Sequence, residues 1–244
     1  MLVTHLPPYA PFSAWTSAAL TSDLRKIRKL FDAERKNRRR NERPTAHYWN
    51  RYSPKLDRHV DGFTDLGRDY WVLIESDSTI SWFTEQPSRV WLQIRRRLNS
   101  EPFNMAVERC GVIECHRYVD DEKPSSAVLD SIEAEQQFCE LQGFLYVPFR
   151  RFDIERQRQW IENWKRMLRY LYAPYHRLEQ RVFGYVSTVG ELTLGELERL
   201  LKDVGHTEAC AAIYGLLHRG VLVAPDLAHQ PLSSRITVGI ANDN

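Results

Sequence analysis

Cysteine is scarce and scattered: four residues in 244, Cys110, Cys115, Cys139 and Cys210, with no Cys-x-x-Cys spacing among them. That pattern argues against the disulfide framework of small secreted domains and makes a reducing compartment the expectation. Joining His116 to Cys110 and Cys115 as metal ligands is the weaker reading, because buried free thiols are common packing elements. Long apolar runs are missing too. None approaches the roughly 20 residues that a membrane-spanning helix requires. The first residues lack the charged start and apolar stretch of a signal peptide and are interrupted by Pro7, Pro8 and Pro11. A cytoplasmic protein with no membrane partner is the expectation.

Net charge is nearly absent at +2, but the average conceals a concentration. Between Leu24 and Arg58 stand thirteen Lys and Arg against four Asp and Glu, a local balance of +9 that leaves the remainder acidic. Ser22-Asp23 can cap a helix in which Leu24, Ile27, Leu30 and Phe31 recur at helical spacing, with Arg25, Lys26, Arg28 and Lys29 facing elsewhere. This helix leads into Arg35, Lys36, Arg38, Arg39, Arg40 and Arg43. Charges so dense repel one another unless anions lie between them. Tyr48, Trp49 and Tyr52 follow, and Arg51, Lys55 and Arg58 extend the set, so cations interleaved with aromatics point to DNA phosphate contact. A solvated charged face is the plainer alternative. Contacts to phosphates hold a protein on DNA without reading its sequence.

With 43% hydrophobic residues the chain can build one large core or two modest ones, and two domains are expected. Residues 1–52 read as an arm, with Tyr9, Phe12 and Trp15 among its prolines, followed by the basic helix. Leu66, Tyr70, Leu73 and Ile74 form a helix stripe. Strands are expected over 79–87 and 89–94. After a polar loop at 120–126, Val128, Leu129, Ile132, Phe138 and Leu141 line a helix, and 143–149 reads as a buried strand.

Three short motifs follow in order: Ser53-x-Lys55-x-x-Arg58, then Thr64-x-x-x-Arg68-Asp69-Tyr70, then Phe83-x-Glu85-Gln86-Pro87. With Phe103-Asn104-Met105-Ala106-Val107 and Val112-Ile113-Glu114-Cys115-His116, this series resembles TnsA-type endonuclease subunits of heteromeric transposases. The resemblance covers about residues 53–238. It implies an α/β restriction-endonuclease-like PD-(D/E)xK domain over 53–150, a connecting helix over 151–181 and an α+β winged-helix domain over 182–240. The implied partners are DNA at transposon ends, a DDE-type transposase and an AAA+ ATPase regulator, in a prokaryotic, nucleoid-associated setting.

Nuclease chemistry of that class holds magnesium with hard oxygen ligands and keeps a lysine beside the attacking water. The implied positions here read Gly67, Asn104, Glu114 and His116. Glycine offers no ligand, an amide is a poor partner for a dication, and histidine near neutral pH does not replace a permanent ammonium. Glu114 alone survives. The expectation is a degenerate nuclease domain kept for binding, with no metal or cofactor. The alternative is an active magnesium-dependent endonuclease that cuts 5′ ends with relocated acids, among Asp65, Asp69, Glu101 and Glu108.

Trp160, Ile161, Trp164, Leu168, Leu171 and Tyr172 predict one long helix from 150 to 182, broken at Pro174. Beyond it, helices and a hairpin near Ile236-Thr237-Val238 fit the winged helix. Residues 207–219 carry few groups able to contact bases, so that helix is expected to serve protein contact, the role the resemblance assigns toward the ATPase.

Overall fold

In the computed structural model, residues 47–85, 87, 90–94, 97–101, 103–119 and 125–241 are described. The arm, the basic helix and Arg35, Lys36, Arg38, Arg39, Arg40 and Arg43 lie outside them. The chain is a mixed α/β fold.

Strands β1 (Trp49–Ser53) and β2 (Arg58–Gly62) form an antiparallel hairpin in which Trp49 faces Gly62. Only glycine fits there, since a Cβ would lie 2.5 Å from the indole. The indole nitrogen donates to the carbonyl of Thr64, the residue that caps α1 (Asp65–Ser76) by accepting from the Gly67 N–H at 2.9 Å.

Helix α1 covers one face of a four-stranded sheet. Its strands are β3 (Ile80–Glu85), β6 (Met105–Arg109), β7 (Val112–Tyr118) and β8 (Leu145–Phe149), in that spatial order. The first three form an antiparallel meander. Between β6 and β7, Cys110 and Gly111 both adopt positive φ, the two-residue turn whose twist matches a hairpin. Helix α2 (Ser126–Gln142) then crosses to β8, which pairs parallel to β7. Gly143 ends α2 in the left-handed conformation, its N–H and that of Phe144 closing on the last turn.

The period of two divides the sheet's side chains between two cores. Phe83, Met105, Val107 and Phe149 join the larger core beneath α1, whereas Ala106, Ile113 and Cys115 meet Phe103, Ala134, Cys139 and Phe144 beneath α2. The strand expected over 89–94 is β4 (Val90–Ile94), paired with β5 (Arg97–Glu101) as a separate hairpin between β3 and β6.

The helix predicted for 150–182 is interrupted around Pro174 as expected, and a further break makes it three. Helices α3 (Arg151–Glu155) and α4 (Arg158–Met167) are separated at Arg156-Gln157, and a 3₁₀ turn at Leu168–Tyr170 ends the run before α5 (His176–Val189). The first break lets Ile154 and Ile161 enter the same core from differently directed helices. Then follow β9 (Glu191–Thr193), α6 (Leu194–Leu200), α7 (His206–His218), β10 (Leu222–Val223) and β11 (Thr237–Ile240), with β11 central in the order β10-β11-β9.

The larger core runs without interruption from Trp49 to Val238. Buried Asn163 on α4 donates to the carbonyls of Leu227 and Gln230 and accepts from the Leu232 N–H. Glu75 at the end of α1 accepts from Ser53 Oγ at 2.6 Å and the Lys55 N–H at 3.0 Å, and meets His218 Nε2 of α7 at 3.0 Å. One carboxylate thus ties the first hairpin, the helix over the sheet and the C-terminal helices together.

Candidate nucleic-acid interface

Glu114 and His116 are brought together on the face beneath α1. Register pairs His116 with Met105 and Glu114 with Val107, so these four share that face. Asn104 is not with them. It precedes β6, is exposed, and its Oδ1 accepts from the Tyr118 N–H at 2.5 Å, fastening the end of the hairpin. Gly67 sits in the first turn of α1, its N–H on Thr64 and the place of a Cβ only 2.9 Å from the Thr64 hydroxyl. Cys115 points to the opposite face from His116, which separates the thiol and imidazole that could have formed a metal set.

The space below α1 is filled by Tyr70. Its ring stacks on Phe149 at 3.7 Å with planes 4° apart, and its hydroxyl forms a short hydrogen bond with His116 Nδ1. His116 Nε2 meets Glu114 Oε2 at 2.8 Å, and Arg109 Nε donates to Glu114 Oε1 at 2.9 Å. Arg109 also pairs closely with Asp77 and donates to Thr79 Oγ1 at 2.7 Å. Burial pushes the Tyr70 hydroxyl well above its ordinary range. Burial raises Glu114 too, but the hydrogen bonds and charges of His116 and Arg109 outweigh it and hold the carboxyl below its ordinary value.

This donor set does not fit the magnesium ion that the resemblance implies. Such an ion requires several free oxygens, and the one carboxylate present is occupied at both oxygens by cationic or N–H donors. Nor do Asp65, Asp69 and Glu108 converge on it; the side chain of the fourth alternative, Glu101, lies outside the described residues. Asp69 is buried between Arg158 at 2.8 Å and Lys165 at 2.7 Å, and Asp65 is exposed beside Arg68. Glu108 lies on the face under α2, by its alternation with Ala106 and Val107.

A depressed carboxyl stabilises the fold above its unfolded pKa, and that contribution disappears as pH falls through the folded pKa. Glu114 therefore supports the fold fully above its ordinary 4.5 and ceases to do so on acidification below it. Glu114→Gln is expected to flatten the fall in stability below about pH 4.5. Urea unfolding at a series of pH values checks this; an unchanged slope would contradict it.

The prominent concavity lies elsewhere. A cleft of about 1110 Å³ runs between β1, the outer side of α1 and helices α3 and α4. Arg51, Arg68, Arg151, Arg158, Lys165 and Arg169 line it, against Asp65, Asp69, Glu155 and Glu162. Asp69 and Glu162 hold Arg158 and Lys165, Asp65 holds Arg68 and Glu155 lies 3.8 Å from Arg151, so the excess positive charge of the lining rests on Arg51 and Arg169. At one end Tyr52 and the exposed Tyr172 stack at 5.5 Å with planes 25° apart. Gly67, Asn104, Glu114 and His116 do not line the cleft. In the sequence the cations of its α3 and α4 half recur from Arg150 to Arg169 as a second candidate for DNA contact, offset in part by Glu155 and Glu162; which of them share one wall is set only by the fold.

Of the DNA-contact set within the described residues, Arg51 is exposed on the cleft wall. Arg58 makes a two-pronged pair with Glu85 at 2.7 and 2.8 Å, and Lys55 Nζ donates to the carbonyl of Asp77 at 2.9 Å. Burial lowers the Lys55 pKa against the pull of Glu75 and Asp77. Both side chains have structural work inside the protein. Helix α7 is buried from Ala209 to His218 against the chain's own helices, so its small apolar content serves the internal core. No protein-family model matches the chain, and no curated protein resembles it in sequence.

Proposed function

We propose that the chain is a nuclease-derived subunit of a TnsA-like DNA transposition machinery, binding transposon-end DNA through phosphate contacts and bridging a DDE-type transposase to an AAA+ ATPase regulator. The observation that carries the reading is the sheet itself. An antiparallel meander, a crossing helix and a parallel fourth strand hold Glu114 and His116 two residues apart on β7, where a nuclease of the PD-(D/E)xK class would hold its acid and its lysine. The β10-β11-β9 order behind α5, α6 and α7 supports a winged-helix reading of the C-terminal part in the same way. Residues 207–219 carry few groups able to contact bases, which argues against base reading by that helix.

The cleft is the DNA-contact surface in this account. Cations along its walls and a stacked tyrosine pair at its end suit a sequence-tolerant backbone grip. Because the cleft lies on the outer side of α1, bound DNA does not approach Glu114, and the protein binds without cutting, in a nucleoid-associated setting. Fluorescence anisotropy of the full chain with duplex DNA tests this. Affinity is expected to fall steeply between about 50 and 200 mM salt, by roughly 0.9 in log–log slope per phosphate contacted. Binding indifferent to salt, or none at the lower salt, would refute the reading.

A further inference from the structure

Away from the cleft, at the turn between α6 and α7, three side chains of metal-ligating chemistry converge. Glu198 comes from the end of α6, His206 from the start of α7, and Cys210 from one turn further along the same helix. Positions four apart on a helix share a face, so the imidazole and the thiol face Glu198 together. Their ligating atoms all lie within 4.8 Å of one another. Cys210 Sγ stands 3.6 and 3.8 Å from the two ring nitrogens, and His206 Nδ1 is 4.0 Å from Glu198 Oε1.

We infer that Glu198, His206 and Cys210 form a binding site for a zinc-class dication that clips α6 to α7. Metal bonds of about 2.0–2.3 Å in tetrahedral geometry place neighbouring ligand atoms roughly 3.5 Å apart, which the sulfur–nitrogen spacing already meets. The carboxylate closes by a small turn of an exposed side chain. A thiolate, an imidazole and one carboxylate favour zinc or cobalt over magnesium or calcium. Binding exchanges the Cys210 proton for the metal, the proton passing to solvent. His206 and Glu198 are exposed while Cys210 is buried, so the sulfur lies at the floor and the fourth position opens to water. Tyr170 meets the His206 ring edge-on at 6.3 Å, limiting the ways that ring can turn.

Titration of the full chain, stripped with chelator, with Co²⁺ tests the site. The expected result is a near-ultraviolet thiolate-to-cobalt band with visible bands of tetrahedral intensity, saturating at one ion per chain and displaced by Zn²⁺. Cys210→Ser removes the thiolate band, and the exposed changes His206→Ala and Glu198→Gln weaken binding by more than about tenfold. Cys110→Ser, at the exposed cysteine, leaves the spectrum unchanged. No band in the unaltered protein overturns the inference, as does a band that survives Cys210→Ser or disappears in Cys110→Ser. Should Cys210→Ser fail to fold, unaltered cobalt affinity in His206→Ala overturns it on its own.

Discussion

Glu75→Ala is expected to destabilise the entire chain by about 3–5 kcal/mol, since each buried hydrogen-bonding group left unsatisfied costs about 1–3 kcal/mol. The carboxylate is fully buried and serves Ser53, Lys55 and His218 at once. Its loss leaves the buried Ser53 hydroxyl, the half-buried Lys55 N–H and the buried His218 imidazole without this carboxylate. Total stabilities run from about 5 to 15 kcal/mol, so the deficit is a large share. Glu75→Gln keeps an acceptor oxygen and is expected to lose less. Urea unfolding followed by tryptophan fluorescence measures both, and because the core is continuous from Trp49 to Val238, one cooperative transition is expected. A loss below about 1 kcal/mol in the alanine variant, the level of a surface pair, would show that Glu75 does not join the parts.

The second large effect is on binding. Arg51, Arg151 and Arg169 are exposed cations on different walls of the cleft. Their joint replacement by alanine is expected to reduce the salt slope of DNA binding by about 2.7, with a uniform loss of affinity across sequences. Arg158 and Lys165 are poor choices for this test, since removing either leaves buried Asp69 short of a partner. Anisotropy titrations at several salt concentrations give the slope directly. An unchanged slope in a folded triple variant would move the DNA away from the cleft.

Much of the architecture was legible because local pattern and tertiary context agree. The stripe Leu66, Tyr70, Leu73, Ile74 gave a helix that packs that side against the core, and the segments 79–87 and 89–94 gave strands β3 and β4. The break at Arg156-Gln157 was not legible. Apolar spacing continues across it, and only packing against two differently placed surfaces requires the turn. Glu114 and His116 were readable as a pair, since residues two apart on a strand share a face. What fills the space around them was not, because Tyr70 reaches His116 from 46 residues away along the chain and Arg109 reaches Glu114 from 5. Of the cleft, Arg51 and Tyr52 were legible as a contact surface and the cations from Arg150 to Arg169 as a weaker one, but that the two face each other was not, because α3 and α4 assemble the far wall. Apolar content in α7 read as partner contact, whereas the fold buries it in the chain's own core.

The central claim, a nuclease frame whose acid is sealed and whose DNA is held elsewhere, is tested most directly by one incubation. Supercoiled plasmid is mixed with the full chain at low salt, with Mg²⁺ or Mn²⁺, and both retardation and nicking are read from the same gel. The account predicts retardation with the plasmid left supercoiled. Nicking that depends on the metal and disappears in Glu114→Ala would contradict it.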